Sequence, residues 1–148
     1  MRVKSATRAQ ALVEFAFILP VLLVMTLGMI DLGRAFVFGV AVQNGAREAA
    51  RVAATAGLDP NVTTPTILQR LIDASAPAIT SCTAGSSDLT GANCPWHATI
   101  SSITRGSAVT VTVQTNRNIS LVGGILTGAF GLSLSAFTIQ GSASMVVL

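Results

Sequence analysis

The stretch RAQALVEFAFILPVLLVMTLGMIDLGR, residues 8–34, is almost purely apolar but carries one carboxylate, Glu14, close to its start. Its charge-free part, residues 15–30, extends with residues 11–13 to about 20 apolar residues. At about 1.5 Å rise per residue, a helix of that length crosses the roughly 30 Å hydrocarbon core of a bilayer. The sequence therefore predicts a transmembrane helix over about residues 11–32.

The composition of the whole chain agrees with a membrane anchor. The 148 residues are 51% hydrophobic and only 10% charged, whereas ordinary soluble domains are about 25% charged. This length suffices for one small domain plus an anchor. We therefore expect part of the chain to lie in lipid or in an assembly.

The net charge of +3 comes from the N-terminus. Arg2, Lys4 and Arg8 precede the apolar run without any acid, and the six later arginines are balanced by the six acids. The positive-inside rule then predicts a cytoplasmic N-terminus and a single pass through the cytoplasmic (inner) membrane. A nucleic-acid-binding face is not expected, since that function needs clustered basic side chains on one surface.

Two other interpretations of the apolar run remain open. A cleavable secretory signal also has a basic start and an apolar centre, but here the centre is long, Glu14 interrupts it, and no small-x-small site directly follows. A buried helix of a soluble core would leave the basic flank unexplained. The uncleaved anchor is the preferred interpretation.

The rest of the chain predicts a small α+β domain. Helix-forming residues without proline continue to Ala56, which predicts one helix over residues 10–56, bent at Pro20 because proline lacks the N–H. Residues 1–9 form a basic cytoplasmic leader, and residues 57–148 form an extracytoplasmic domain. A short second helix is expected in TPTILQRLIDASAP, with Thr64 as its N-cap.

The last third of the chain predicts a three- to four-stranded antiparallel sheet. VTVTVQT, residues 109–115, alternates strictly, and residues 97–104 supply its hairpin partner. Residues 137–147 alternate as well, with a bulge expected near Ala136. The uncharged residues 119–131 are expected to form a short helix or loop rather than a second span.

Neither catalysis nor cofactor binding is predicted. The only histidine, His97, lies beside Trp96, and no Ser/His/Asp set or metal-ligand cluster accompanies it. Cys82 and Cys94 lie in a Ser/Gly-rich loop in a compartment expected to be oxidising, so a disulfide is predicted, with free buried thiols as the alternative. We therefore expect a protein that is not an enzyme and has neither metal nor cofactor.

The N-terminal third resembles the TadE-like pseudopilins of the tight-adherence (Flp-type) pilus machinery. The resemblance covers about residues 8–54. It is carried by the basic lead, the Glu-Phe pair, the Leu-Pro within the apolar run, the GMIDLGR segment and the AREAAR tail.

The resemblance implies a type IV pilin-like subunit without enzymatic activity. Its partners would be other pilin or pseudopilin subunits, the pilus assembly platform and membrane lipid. A prepilin peptidase would cleave the Ala9–Gln10 bond, although alanine stands where glycine is typical. Glu14, Phe15 and Pro20 would belong to the segment through which subunits assemble.

Glu14 has two interpretations. It either reaches the cytoplasmic interface, or it binds a cationic group in an assembly, because an acid among apolar residues costs about 2.5–3.5 kcal/mol on insertion scales and usually has a partner or a function. The leading hypothesis is a structural pseudopilin of a pilus or secretion apparatus. The alternative is a membrane-anchored extracytoplasmic adhesion or ligand-binding domain with no filament role.

Overall fold

The computed structural model describes residues 3–117, 123–124, 127–128, 131 and 137–148. The fold is α+β, as predicted. It contains helices α1 (Val3–Thr55) and α2 (Thr64–Ala74) and strands β1 (Thr83–Ala84), β2 (Leu89–Thr90), β3 (His97–Ile100), β4 (Ala108–Arg117) and β5 (Phe137–Val146). The strands form two antiparallel sheets, β1-β2 and β3-β4-β5.

The described residues form two units. The first consists of residues up to Gly33 and the described part of 119–134, and the second of residues 34–117 and 137–148. In the first unit, α1 begins at Val3 rather than at Gln10, because neither proline nor glycine interrupts the leader. Pro20 lies inside the helix, and the bend expected there remains a prediction.

Part of the uncharged stretch after β4 belongs to this first unit. Residues 123–124 and 127–128 are helical, and the preference for a short helix or loop over a second span remains a prediction. The amide of Gly131 donates to the carbonyl of Thr127 over 3.1 Å. The bulge predicted near Ala136 lies outside the described residues.

In the second unit, α1 turns a row of small side chains towards the core. Gly45 is so close to α2 that an added Cβ would overlap Ser75 Oγ and lie 2.9 Å from the carbonyl oxygen of Leu71. A Cβ added at Gly141 of β5 would likewise lie 2.9 Å from the backbone of Val42. Such close contacts require small side chains on α1. The fully buried residues of α1 are accordingly small: Val42, Ala46, Ala49, Ala50 and Ala53.

Helix α2 supplies the opposite wall of the core. Ile67, Leu68 and Leu71 are buried on the predicted apolar stripe. The N-cap prediction was wrong by one residue: Thr63 is the N-cap, with extended backbone, and Thr64 is already helical. The hydroxyl of Thr63 lies 3.0 Å from that of Thr66 and makes no capping bond to the backbone.

The predicted hairpin and the C-terminal strand are both present. His97 pairs with Gln114 and Ile100 with Val111, and the connection turns at Gly106, whose φ is +80°. Val109, Val111 and Val113 are buried, as their alternation predicts. Strand β5 pairs with the other side of β4, so β3 and β5 are the edges of this sheet.

The loop between α2 and β3 is more ordered than expected. It contains the short ladder β1-β2, in which Thr83 pairs with Thr90, and the predicted disulfide between Cys82 and Cys94 is confirmed. The two-residue strands escaped prediction because neither is long enough to show an alternating pattern.

Replacing both Cys82 and Cys94 by serine is expected to lower the free energy of unfolding by about 3 kcal/mol. The bridge closes a loop with a sequence separation of 12, and the loss follows from the chain-entropy relation for a loop of that size. Thermal unfolding of the detergent-solubilised protein measures it. Reduced wild type should unfold with the variant, and a variant as stable as the oxidised wild type would contradict the expectation.

Candidate functional site

The apolar part of α1 in the first unit exposes many large side chains, whereas Val24 and Leu27 are half-buried. Leu12 is 70% exposed, Phe17 76% and Met29 70%, although each is a residue type that is normally buried. Within the described residues, one helix is long and apolar enough to cross a membrane, over Ala9–Thr55. This is consistent with a single-pass anchor, because lipid would cover these side chains.

The predicted assembly residues lie along this segment. Ala9 and Gln10 are consecutive exposed residues inside α1, so the predicted cleavage site lies in helical backbone. Glu14 is exposed, and Phe15 beside it is 61% exposed. Pro20 is also exposed.

Glu14 and Thr26 are two polar residues of this apolar segment. The hydroxyl of Thr26 donates to the carbonyl of Leu22 over 2.8 Å and is thus satisfied within its own helix. Among the described residues, no group forms a hydrogen bond or an ion pair with the Glu14 carboxylate.

In the second unit, the side of α1 opposite the core is also open. Phe36 is 72% exposed, Val37 53% and Val40 47%. Asn44 follows them and is exposed as well. Shallow grooves flank this row, one reaching Gln140 of β5 and the other reaching Ala74 and Ala76 at the end of α2.

At the outer edge of β5, a side chain of α1 forms hydrogen bonds with the strand backbone. The Gln43 amide donates from Nε2 to the Ser142 carbonyl over 2.8 Å, and its Oε1 accepts from the Ser142 amide over 3.2 Å. One side chain thus satisfies both outward backbone groups of this residue, as a neighbouring strand would. Sequence analysis missed this contact, and its 99-residue separation leaves no local signal.

Replacing Gln43 by alanine is expected to destabilise the second unit by about 1–2 kcal/mol and to promote association through β5, because both groups of Ser142 lose their partner. Thermal unfolding and light scattering measure the two effects. Gln69→Ala is a matched control, since the Gln69 side-chain amide donates to Asp73 on the exposed surface of α2, within one helix. Equal effects from the two variants would contradict a specific role for Gln43.

Asp88 organises the loop before β3. Its Oδ1 accepts from the amides of Leu89 and Ala98, each over 2.6 Å, and its Oδ2 lies 3.0 Å from His97 Nδ1. Burial raises the pKa of this carboxyl, but the hydrogen bonds from Ala98, His97 and Leu89 together outweigh burial, so the net pKa lies below the ordinary 3.8. His97 is therefore an exposed partner of Asp88.

Acid is expected to release this loop. Because the pKa of Asp88 is lowered on folding, its stabilisation is complete above the ordinary 3.8 and is lost as the pH falls through the lower folded value. Hydrogen exchange of the Leu89 and Ala98 amides should then accelerate beyond its intrinsic pH dependence. Asp88→Asn should show fast exchange already at pH 7, and wild-type amides that show no such extra acceleration on acidification would contradict this account.

The comparisons with known proteins bear on α1. The family model described as TadE-like protein matches residues 9–51, which confirms the resemblance drawn from the sequence. No curated protein and no solved structure matches the chain. The matched residues include the exposed apolar segment with Glu14 and most of the core-facing residues of α1.

Proposed function

We propose that this chain, whose residues 9–51 match the TadE-like family model, is a pseudopilin, a structural, non-enzymatic subunit of a tight-adherence pilus or a related secretion apparatus. The observation that carries this proposal is the coincidence of the family match with the exposed apolar helix. A helix with so many exposed apolar side chains can be held in lipid and later packed against other such helices.

Glu14 would set the axial position of each subunit. Cleavage at Ala9–Gln10 would remove the basic leader and create an α-amino group on Gln10. That amino group could pair with Glu14 of a neighbouring subunit, where the low dielectric strengthens the attraction. Such a buried pair is better supported as a device that fixes register than as a source of stability.

The remaining assignments follow from the same anchor. The N-terminus would be cytoplasmic and the second unit extracytoplasmic, with the chain held in the inner membrane until it joins a filament. The Cys82–Cys94 disulfide supports an oxidising compartment for the second unit. Other pilin-like subunits, the assembly platform and a prepilin peptidase would be its protein partners.

Mass spectrometry of the mature N-terminus tests the proposal. In cells with the peptidase, the membrane-bound chain should begin at Gln10, and in cells without it the leader should remain. Ala9→Gly should still be processed, whereas Ala9→Leu should block cleavage because the residue before the bond must be small. An intact leader in peptidase-positive cells would instead favour a membrane-anchored adhesion or ligand-binding domain.

A further inference from the structure

The outer face of α1 in the second unit has the spacing of a helix-packing seam. Val37, Val40, Asn44, Arg47 and Arg51 follow one another at alternating intervals of three and four residues. This spacing places all five side chains on one face of the helix, and Val37 and Val40 are apolar, as packing positions between paired helices usually are. All five side chains lie opposite the buried row of Val42, Ala46, Ala49 and Ala53.

This seam has no cover within the second unit. Val37 and Val40 are about half exposed, and Asn44, Arg47 and Arg51 are exposed. Grooves run along both sides of it. A ridge between grooves fits a second helix, whose side chains enter those grooves.

The charges of the seam indicate which helix it fits. Arg47 forms no ion pair within the described residues, and Arg51 meets Glu48 only across 3.7 Å at an exposed position. Two copies held by the same end of α1 would pack in parallel, and in register they would place Arg47 against Arg47 and Arg51 against Arg51. Like charges in facing positions oppose such a pairing.

We infer that this seam docks an α-helix of a different protein, apolar opposite Val37 and Val40 and acidic opposite Arg47 and Arg51. Asn44, at the junction, would fix the register, as a single polar residue does in helical coiled coils. The inference rests on the proposed function only for the parallel orientation of helices anchored in one membrane. If the inference holds, this chain binds a helix of another protein in preference to a second copy of itself.

The test measures how tightly the full wild-type chain associates with a charge-reversed variant of itself. Wild type and an Arg47→Glu/Arg51→Glu variant, with different fluorophores, are placed together in zwitterionic micelles, and association is measured by energy transfer. The variant supplies acids at the required positions of an otherwise identical helix. The mixed pair should associate about tenfold or more tightly than wild type with itself.

Matched controls separate the seam from net charge. The single variant Arg47→Glu should retain part of the gain, whereas Arg70→Glu, an equal charge change at an exposed residue of α2, should give none. Val37→Ser/Val40→Ser in both partners should abolish the gain. Unchanged circular dichroism and an intact disulfide confirm that each variant is folded.

Three results would each overturn the inference. Wild-type chains that associate with one another as tightly as the mixed pair would make a second copy the occupant. A mixed pair no tighter than one with Arg70→Glu would show that the seam does not recognise charge. Association with anionic lipid vesicles that depends on Arg47 and Arg51, without the mixed-pair gain, would make a lipid surface the occupant. None of these readouts depends on leader cleavage, so failure here is distinguishable from failure of the proposed function.

Discussion

Replacing Glu14 by alanine is expected to lower the amount of the chain in purified filaments about tenfold or more, while its amount in the membrane stays near that of wild type. An unpaired α-amino group in a low-dielectric contact is costly, so a neighbour that lacks the carboxylate is rejected. The anchor itself becomes more apolar, and insertion should not suffer. Quantitative immunoblots of membranes and sheared filaments from the same cells measure both amounts.

Three further variants identify the cause of that loss. Glu14→Gln keeps the size but not the charge and should behave like alanine, whereas Glu14→Asp should retain part of the incorporation. Asp73→Ala removes an exposed carboxylate from α2 and should change neither amount. A parallel loss of Glu14→Ala from membranes and filaments would show that Glu14 serves folding or insertion and not register.

Replacing Gly45 by alanine is expected to destabilise the second unit by about 1–3 kcal/mol, the usual cost of overpacking a filled core. The new Cβ would overlap Ser75 Oγ and approach the Leu71 carbonyl to 2.9 Å. Ser75 is fully buried, so α1 and α2 must separate to make room. Thermal unfolding of the solubilised protein measures this as a lower Tm.

Gly39 provides the control on the same helix. A Cβ at Gly39 would meet nothing within 4 Å, so Gly39→Ala should leave stability unchanged or raise it by about 0.5–1 kcal/mol through the higher helix propensity of alanine. If Gly45→Ala were as stable as Gly39→Ala, the close contact between α1 and α2 would be refuted.

The regular elements were predictable because their signals are local. The apolar run of α1, the stripe of α2 and the alternation of Val109, Val111 and Val113 each repeat within a few residues. Gly141 was not singled out from the sequence, although an isolated glycine in a strand can indicate close approach of another backbone. Its neighbour proved to be Val42.

The contacts that complete the fold were not predictable in this way. Gln43 meets Ser142 across 99 residues, and Asp88 meets Ala98 across a loop that also contains β1-β2 and the disulfide. Such pairs follow from the final packing and not from a repeating pattern. For Glu14 the sequence indicates an unusual acid but not its partner, because that partner would belong to another molecule.

The presence of this chain in filaments tests the central claim most directly. Filaments sheared from cells, purified free of membrane and analysed by mass spectrometry should contain the chain with Gln10 as its first residue. The same preparation from cells that carry Glu14→Ala should contain about a tenth or less. A wild-type chain absent from filaments, and recovered as a dissolved monomer without detergent, would contradict both the anchor and its role in assembly.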